Sequence, residues 1–179
     1  MNTYIALLRG INVGGHRPLK MDDLRQLFSE MGYKNVSTYI QSGNIVFDAG
    51  DETDPAFLST QIAVQIAETF GYEVPVVIRR LDEIRELLAN FPFEEKEGWK
   101  GYISFLANKP MNEQAAELVA CSNAVEQFKI QGAALFSVVD KQAEATPRFS
   151  NSFVEQRLGV PATTRNLRTV GRIVDIATD

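Results

Sequence analysis

The chain has 179 residues, 45% hydrophobic and 23% charged, with a formal net charge of −5. That is an ordinary globular composition, with enough apolar side chain to bury a core without metals or disulfides. One cysteine, Cys121, and one histidine, His16, exclude an internal disulfide and any four-ligand Cys/His cluster, so no metal site is expected and a reducing cytoplasm fits. No apolar run approaches a membrane span, and the opening residues read as a strand rather than a secretory leader, so no membrane partner is expected.

The acidic total disfavours nucleic acid as a partner. Its distribution is uneven. Residues 1–47 hold five Lys/Arg against three Asp/Glu, residues 48–140 seven against sixteen, and residues 141–179 six against four. Basic character therefore sits at the two ends of the chain.

In chain order, "TYIALL" (3–8) predicts a buried strand. Met21, Leu24, Leu27, Phe28 and Met31 recur at helical spacing, and Gly32 closes that helix. "VSTYIQ" and "NIVFDA" predict two strands joined by a tight turn at Ser42-Gly43. "DETDP" is a polar loop whose Pro55 starts a helix lined by Phe57, Leu58, Ile62, Ile66 and Phe70. "VPVVIRR" is a fourth strand. The order strand, helix, strand, strand, helix, strand is the split βαβ pattern. A connecting helix with Leu81, Ile84, Leu87, Leu88 and Phe91 follows, and "FPFEEKEGWKG" is a linker in which Trp99 packs.

The pattern then restarts: strand "YISFLAN", a helix over 111–121, a hairpin "EQFKIQ"/"ALFSVV" about Gly132, a short helix ending at Gly159, and a last strand "ATTRN". Leu167, Val170, Ile173, Val174 and Ala177 line a final helix. The expectation is an α+β protein of two tandem ferredoxin-like (βαββαβ) halves, 1–80 and 100–179. A connecting helix and linker span 81–99, and a C-terminal helix ends the second half.

The chemistry concentrates in "LLRGINVGGHRPLK". Gly10 and Gly15 have the spacing of a phosphate-binding Walker loop between a strand and a helix, but His16-Arg17 stand where Lys and Ser/Thr belong. Nucleoside triphosphate hydrolysis is therefore disfavoured. Gly10, Gly14 and Gly15 still let backbone N–H groups converge on an anion, with Arg9 and His16 adding charge. Asp22 and Asp23 already complement the dipole of the following helix, which argues against a phosphate there. A plain glycine-rich turn accounts for the stretch equally well.

The split βαβ topology predicts that Arg9-Gly10 lies beside Gln41, Ser42, Gly43 and Asn44, bringing Asn12, His16, Gln41 and Asn44 to one rim. In the second half, Ser150 or Asn151 caps the short helix and Asn166 the last one. Thr163, Thr164, Arg165 and Asn166 can present several donors to a carboxylate or phosphate. Ser42 lacks a nucleophile-elbow context, and Cys121 reads as a packing residue.

"LLRGINVGG", "YIQSGNIVF" and "ATTRN", in this order, with "SNSFVEQRLG" ahead of the last, resemble the bacterial family called domain of unknown function 1697. The resemblance implies a cytoplasmic bacterial protein with a two-part α+β fold and brings no activity or cofactor with it. The family usually has Trp-Asn after "TTRN", where this chain has Leu167-Arg168. Two readings follow. In one, the glycine loop, the "QSGN" hairpin and the "TTRN" segment form one cleft for a small anionic ligand, a phosphorylated metabolite or nucleotide. In the other, the chain is a non-catalytic protein-interaction module, with RNA binding a weaker variant. Homodimerisation is compatible with both. The polar residues at the tips exceed what the turns need, which favours the ligand.

Overall fold

The structure is a computed structural model describing residues 1–50 and 53–179. The "DETDP" loop expected from sequence begins at Asp51 and Glu52, which lie outside the described residues. Two compact units emerge from the backbone: Met1–Glu86 with Gly171–Asp179, and Leu87–Val170.

The first unit builds one four-stranded antiparallel sheet. Strands β1 (Asn2–Leu8), β2 (Lys34–Tyr39), β3 (Asn44–Ala49) and β4 (Val76–Arg80) lie in the order β2-β3-β1-β4. Helices α1 (Met21–Glu30) and α2 (Pro55–Phe70) fill the two crossovers, and α3 (Leu81–Ala89) follows β4 directly. Alternation decides the faces. Tyr4, Ala6 and Leu8 of β1 join Leu24 and Phe28 of α1 and Leu58, Ile62 and Ile66 of α2 in one core. Ile5, Leu7, Val46 and Val77, on the other face of the sheet, are buried as well. The α2 boundaries are local in origin. Asp54 accepts a hydrogen bond from Ala56 N–H at 3.0 Å, Pro55 takes the first turn, and Gly71 ends the helix in the left-handed region.

The second unit repeats the plan. Strands β5 (Trp99–Leu106), β6 (Glu126–Gln131), β7 (Ala134–Asp140) and β8 (Ala162–Asn166) lie in the order β6-β7-β5-β8, all antiparallel. Helices α4 (Asn112–Ala120) and α5 (Asn151–Leu158) fill its crossovers, and α6 (Leu167–Thr178) ends the chain. Leu106, Leu118, Phe128, Leu135, Val154, Leu158 and Ala162 form the core beneath those helices. The described residues thus make a mixed α+β fold of two four-stranded antiparallel sheets and six helices. None of those helices is long and apolar enough to cross a membrane.

Three local expectations change. The β2–β3 turn spans Ile40–Gly43 rather than a Ser42-Gly43 pair, because Tyr39 opposite Asn44 is the last paired position. Helix α3 stops at Ala89, and Phe91 packs instead edge-on against Phe136, with 5.7 Å between ring centroids. Trp99 is the first residue of β5, opposite Asp140, rather than part of the linker. That strand can start early because Gly101 lacks a side chain: a Cβ there would lie 2.6 Å from Leu167 Cδ1 and 2.9 Å from Phe91 Cζ. Leu167 therefore packs over a strand glycine.

The Ser137 hydroxyl of β7 is buried and has no hydrogen-bond partner among the described residues. Losing such a group removes a desolvation cost without removing a bond. Ser137→Ala is therefore expected to leave stability unchanged or raise it by up to about 1 kcal/mol. Urea denaturation checks this, and a clear loss of stability would mean that the hydroxyl is bonded after all.

Candidate functional site

The glycine loop and the β2–β3 turn meet as the topology predicts. Leu8 N–H donates to Gly43 O at 2.9 Å, and Arg9 N–H to Pro75 O at 3.0 Å. Beyond Arg9 the chain doubles back on itself. Asn12 N–H donates to Arg17 O at 3.1 Å, His16 N–H donates to Val13 O at 3.0 Å, and Val13 and His16 form an isolated bridge. Gly10, Asn12, Gly14, Gly15 and Arg17 all have positive φ, between 46° and 76°. Buried Ile11 and Leu19 anchor the two ends of this miniature hairpin and leave Val13–His16 in solvent.

Asn12 is the organiser of the tip. Its Nδ2 donates to Leu19 O at 2.9 Å and to Gln41 O at 2.7 Å, while its Oδ1 accepts from Leu19 N–H at 2.8 Å. One amide thus closes the loop and ties it to the neighbouring turn. Asn44 is fully buried and donates to Tyr39 O at 2.9 Å and Ser42 Oγ at 3.1 Å. Both asparagines spend their donors on the fold, and their polarity in the sequence reports that work.

The groups left facing solvent are Gly10, Gly14, Gly15, His16 and Gln41, with Arg9, Arg17 and Ser42 half-buried. Arg17 lies back over Gly10, its Nη1 3.5 Å from where a Cβ would stand. Tyr72 OH donates to Pro18 O. Burial raises the Tyr72 phenol above its ordinary value, and the Arg17 charge pulls it partly back.

Two apolar side chains share this tip. Val13 is 65% exposed and Ile40 46% exposed. Ile40 also holds φ at +51°, a region that a β-branched residue rarely enters. Sequence reading missed both, since an isolated Ile or Val reads as strand or core; only the backbone reveals them as exposed.

The "TTRN" residues form the last strand of the second unit. Thr164 Oγ1 donates to Asn151 Oδ1 at 2.8 Å and pairs with Ser104 Oγ at 2.7 Å, and Asn151 Nδ2 donates to Ala162 O at 2.9 Å. Asn166 caps α6 through Thr169 N–H at 2.9 Å, and Ser150 caps α5 through Phe153 N–H at 3.0 Å. Thr163 and Arg165 alternate onto the face shared by Ile103 and Phe105. Arg165 donates to Thr164 O at 3.0 Å. Burial pushes its guanidinium down to about 10, which leaves it charged at neutral pH.

Arg79 of β4 occupies the equivalent place. It lies opposite Ile5 as Arg165 lies opposite Ile103, and it donates to Ile78 O at 2.9 Å. Burial lowers it too, while Glu83 opposes the shift. The fourth residue of each closing strand is thus a desolvated arginine bonded to its own backbone. "VVIRR" beside "ATTRN" is the sequence signal that carried it.

Glu126 is the other residue the sequence did not flag. Its buried carboxylate accepts from Arg148 N–H at 2.9 and 3.1 Å, Phe149 N–H at 2.9 Å and Asn123 Nδ2 at 3.1 Å. It pins the segment before α5. Among the described residues, no group of three His, Cys, Asp or Glu side chains can hold a metal ion.

Comparison with known proteins agrees with the architecture. A conserved bacterial protein, SP0830 from Streptococcus pneumoniae, superposes with a TM-score of 0.73 over 98% of each chain at 22% identity, a likeness of fold. No curated protein matches the chain. The family model described as "Protein of unknown function (DUF1697)" matches residues 1–136, which include the glycine loop and the β2–β3 turn and stop short of "TTRN". With three-quarters of its length matched, the chain belongs to the domain of unknown function 1697 family.

Proposed function

We propose that the tip of the first unit, the Arg9–Lys20 loop with the Ile40–Asn44 turn, binds a small anionic ligand such as a phosphorylated metabolite or nucleotide. The observation behind this reading is the backbone of Gly14 and Gly15. Both have positive φ, both are exposed, and neither N–H donates to any group among the described residues. Successive unbonded N–H groups in a turn make an anion-binding concavity. His16 and Arg17 follow immediately and supply donors and charge. Asn12 supports the site by holding the loop in shape, which is how a binding loop is kept ready on a rigid sheet. The same strand order in both sheets supports reading each half as a ferredoxin-like unit in tandem. That fold serves many functions, so the reading rests on the loop.

A second reading has its own support. Exposed Val13 and the strained Ile40 suit a protein-interaction tip better than an anion site.

A thermal-shift panel of nucleotides, phosphorylated metabolites and small carboxylates separates the two. A ligand at 100 times its Kd adds about 2.7 kcal/mol of native stability, hence a rise of roughly 5–10 °C for a chain of this size. The rise is expected to vanish in His16→Ala/Arg17→Ala, with circular dichroism confirming the fold because Arg17 is half-buried over Gly10. A panel without a hit, together with a protein partner lost on Ile40→Asp, would transfer the site to the interaction reading.

A further inference from the structure

Helix α2 differs from its neighbours in charge. Over sixteen residues, PAFLSTQIAVQIAETF, it carries one ionisable side chain, Glu68. Helices α1 and α3 carry four each in ten and nine residues. One side of α2 is core, through Leu58, Ile62 and Ile66. The other presents Phe57, 56% exposed, and Val64, 47% exposed, with Thr60 and Gln61 beside them. Phe57, Gln61, Val64 and Glu68 follow the i, i+4, i+7, i+11 spacing of a single stripe. An open groove of about 850 Å³ runs alongside, walled by the end of α1, by exposed Met1 and by half-buried Met31.

We propose that this stripe and groove form a two-fold interface between two copies of the chain. Charge selects the occupant. Each copy carries a net −5, so two copies repel except through a face without charge, and α2 is that face. On α2 itself a partner recognised by opposite charge would find only Glu68 to pair with; the groove's other wall adds Glu30 and Asp48, whose carboxylates already accept from Gln26 and from Thr3 and Asn35. The polar groups point the same way. At a two-fold axis a patch meets itself, so its residues must tolerate their own copies. Gln61 both donates and accepts hydrogen bonds and can therefore pair with its own copy, which carboxylates or ammonium groups cannot do, while the Thr60 hydroxyl, which donates to Ala56 O, can still accept. An antiparallel crossing centred near Gln61 sets Phe57 against Val64 of the partner subunit and leaves Glu68 at the solvated rim. The helix is about 24 Å long. At about 10 Å wide, its exposed ridge supplies roughly a third of the about 800 Å² per partner usual for a specific contact, so Met1 and Met31 along the groove must share in it.

The test is sedimentation equilibrium of the full chain over a wide concentration range. The wild type is expected to dimerise reversibly. Val64→Glu sets like charges against an apolar contact and should weaken the dimer at least about tenfold, with circular dichroism and melting as in the wild type. If Val64→Glu does not fold, Phe57→Gln is measured in its place. Gln61→Cys in a Cys121→Ser background should form a covalent dimer on oxidation, because the cysteines meet near the axis. A wild type that stays monomeric throughout overturns the proposal. So does a dimer that survives these substitutions and yields no cross-link.

Discussion

Replacing Glu126 with alanine is expected to destabilise the second unit by about 2–4 kcal/mol, because several N–H donors lose one shared acceptor. Three donors, Arg148 N–H, Phe149 N–H and Asn123 Nδ2, would lose a buried acceptor, although Asn123 and Arg148 are themselves exposed residues that water can reach. A buried donor left unpaired costs about 1–3 kcal/mol, and hydration of the exposed residues with relaxation of the segment ahead of α5 keeps the total below the sum. Glu126→Gln keeps the shape and one acceptor oxygen but turns an amide N–H toward those donors, so an intermediate loss is expected. Trp99, the only tryptophan, lies in this unit and reports its unfolding in urea. An unchanged midpoint in Glu126→Ala would show that the carboxylate does not hold the segment.

Gly43→Ala should cost the first unit about 2–5 kcal/mol, from two sources that act together. Gly43 has φ +86°, where an L side chain pays roughly 1–2 kcal/mol. The added Cβ would also stand 2.7 Å from Ile11 Cδ1 and 2.9 Å from Leu8 Cβ. Leu8 Cβ is tied to a strand backbone and Ile11 is buried, so neither yields easily, and overpacking of this kind costs about 1–3 kcal/mol. Gly15→Ala is the matched control. Its φ is +76° with nothing within 4 Å of the new Cβ, so only the backbone strain is expected. Denaturation followed by far-ultraviolet circular dichroism measures both variants. Equal losses would mean that the contact with Leu8 and Ile11 contributes nothing.

What these residues share is that each acts through a distant part of the chain. Asn12 reaches Gln41, Gly43 makes room for Leu8 and Ile11, and Glu126 gathers donors from residues 123 and 148–149. In the sequence each looks like an ordinary turn or strand residue. The polar excess at the tip was visible there, but its meaning was not: Asn12 and Asn44 serve the backbone, and the solvent-facing groups are those of Gly10, Gly14, Gly15, His16 and Gln41.

The sequence by itself determined the order of the elements, the helix ends at Gly71 and Gly159, the cap at Asn166, and the adjacency of the glycine loop to the second turn, and narrowed the α5 cap to Ser150 or Asn151. These depend on periodicity, on single residues at helix ends, or on a topology that allows few alternatives. Tertiary structure alone decided where β2 releases the chain, which turns Ile40 into solvent with a strained backbone. It decided that Trp99 opens a strand, and that residues 171–179 complete the first unit although they follow the second. The physical reason is common to all three. Hydrophobic spacing records which side of an element is buried, whereas a strand's end, a loop's anchor and a helix's neighbour are set by groups that only folding brings within bonding distance.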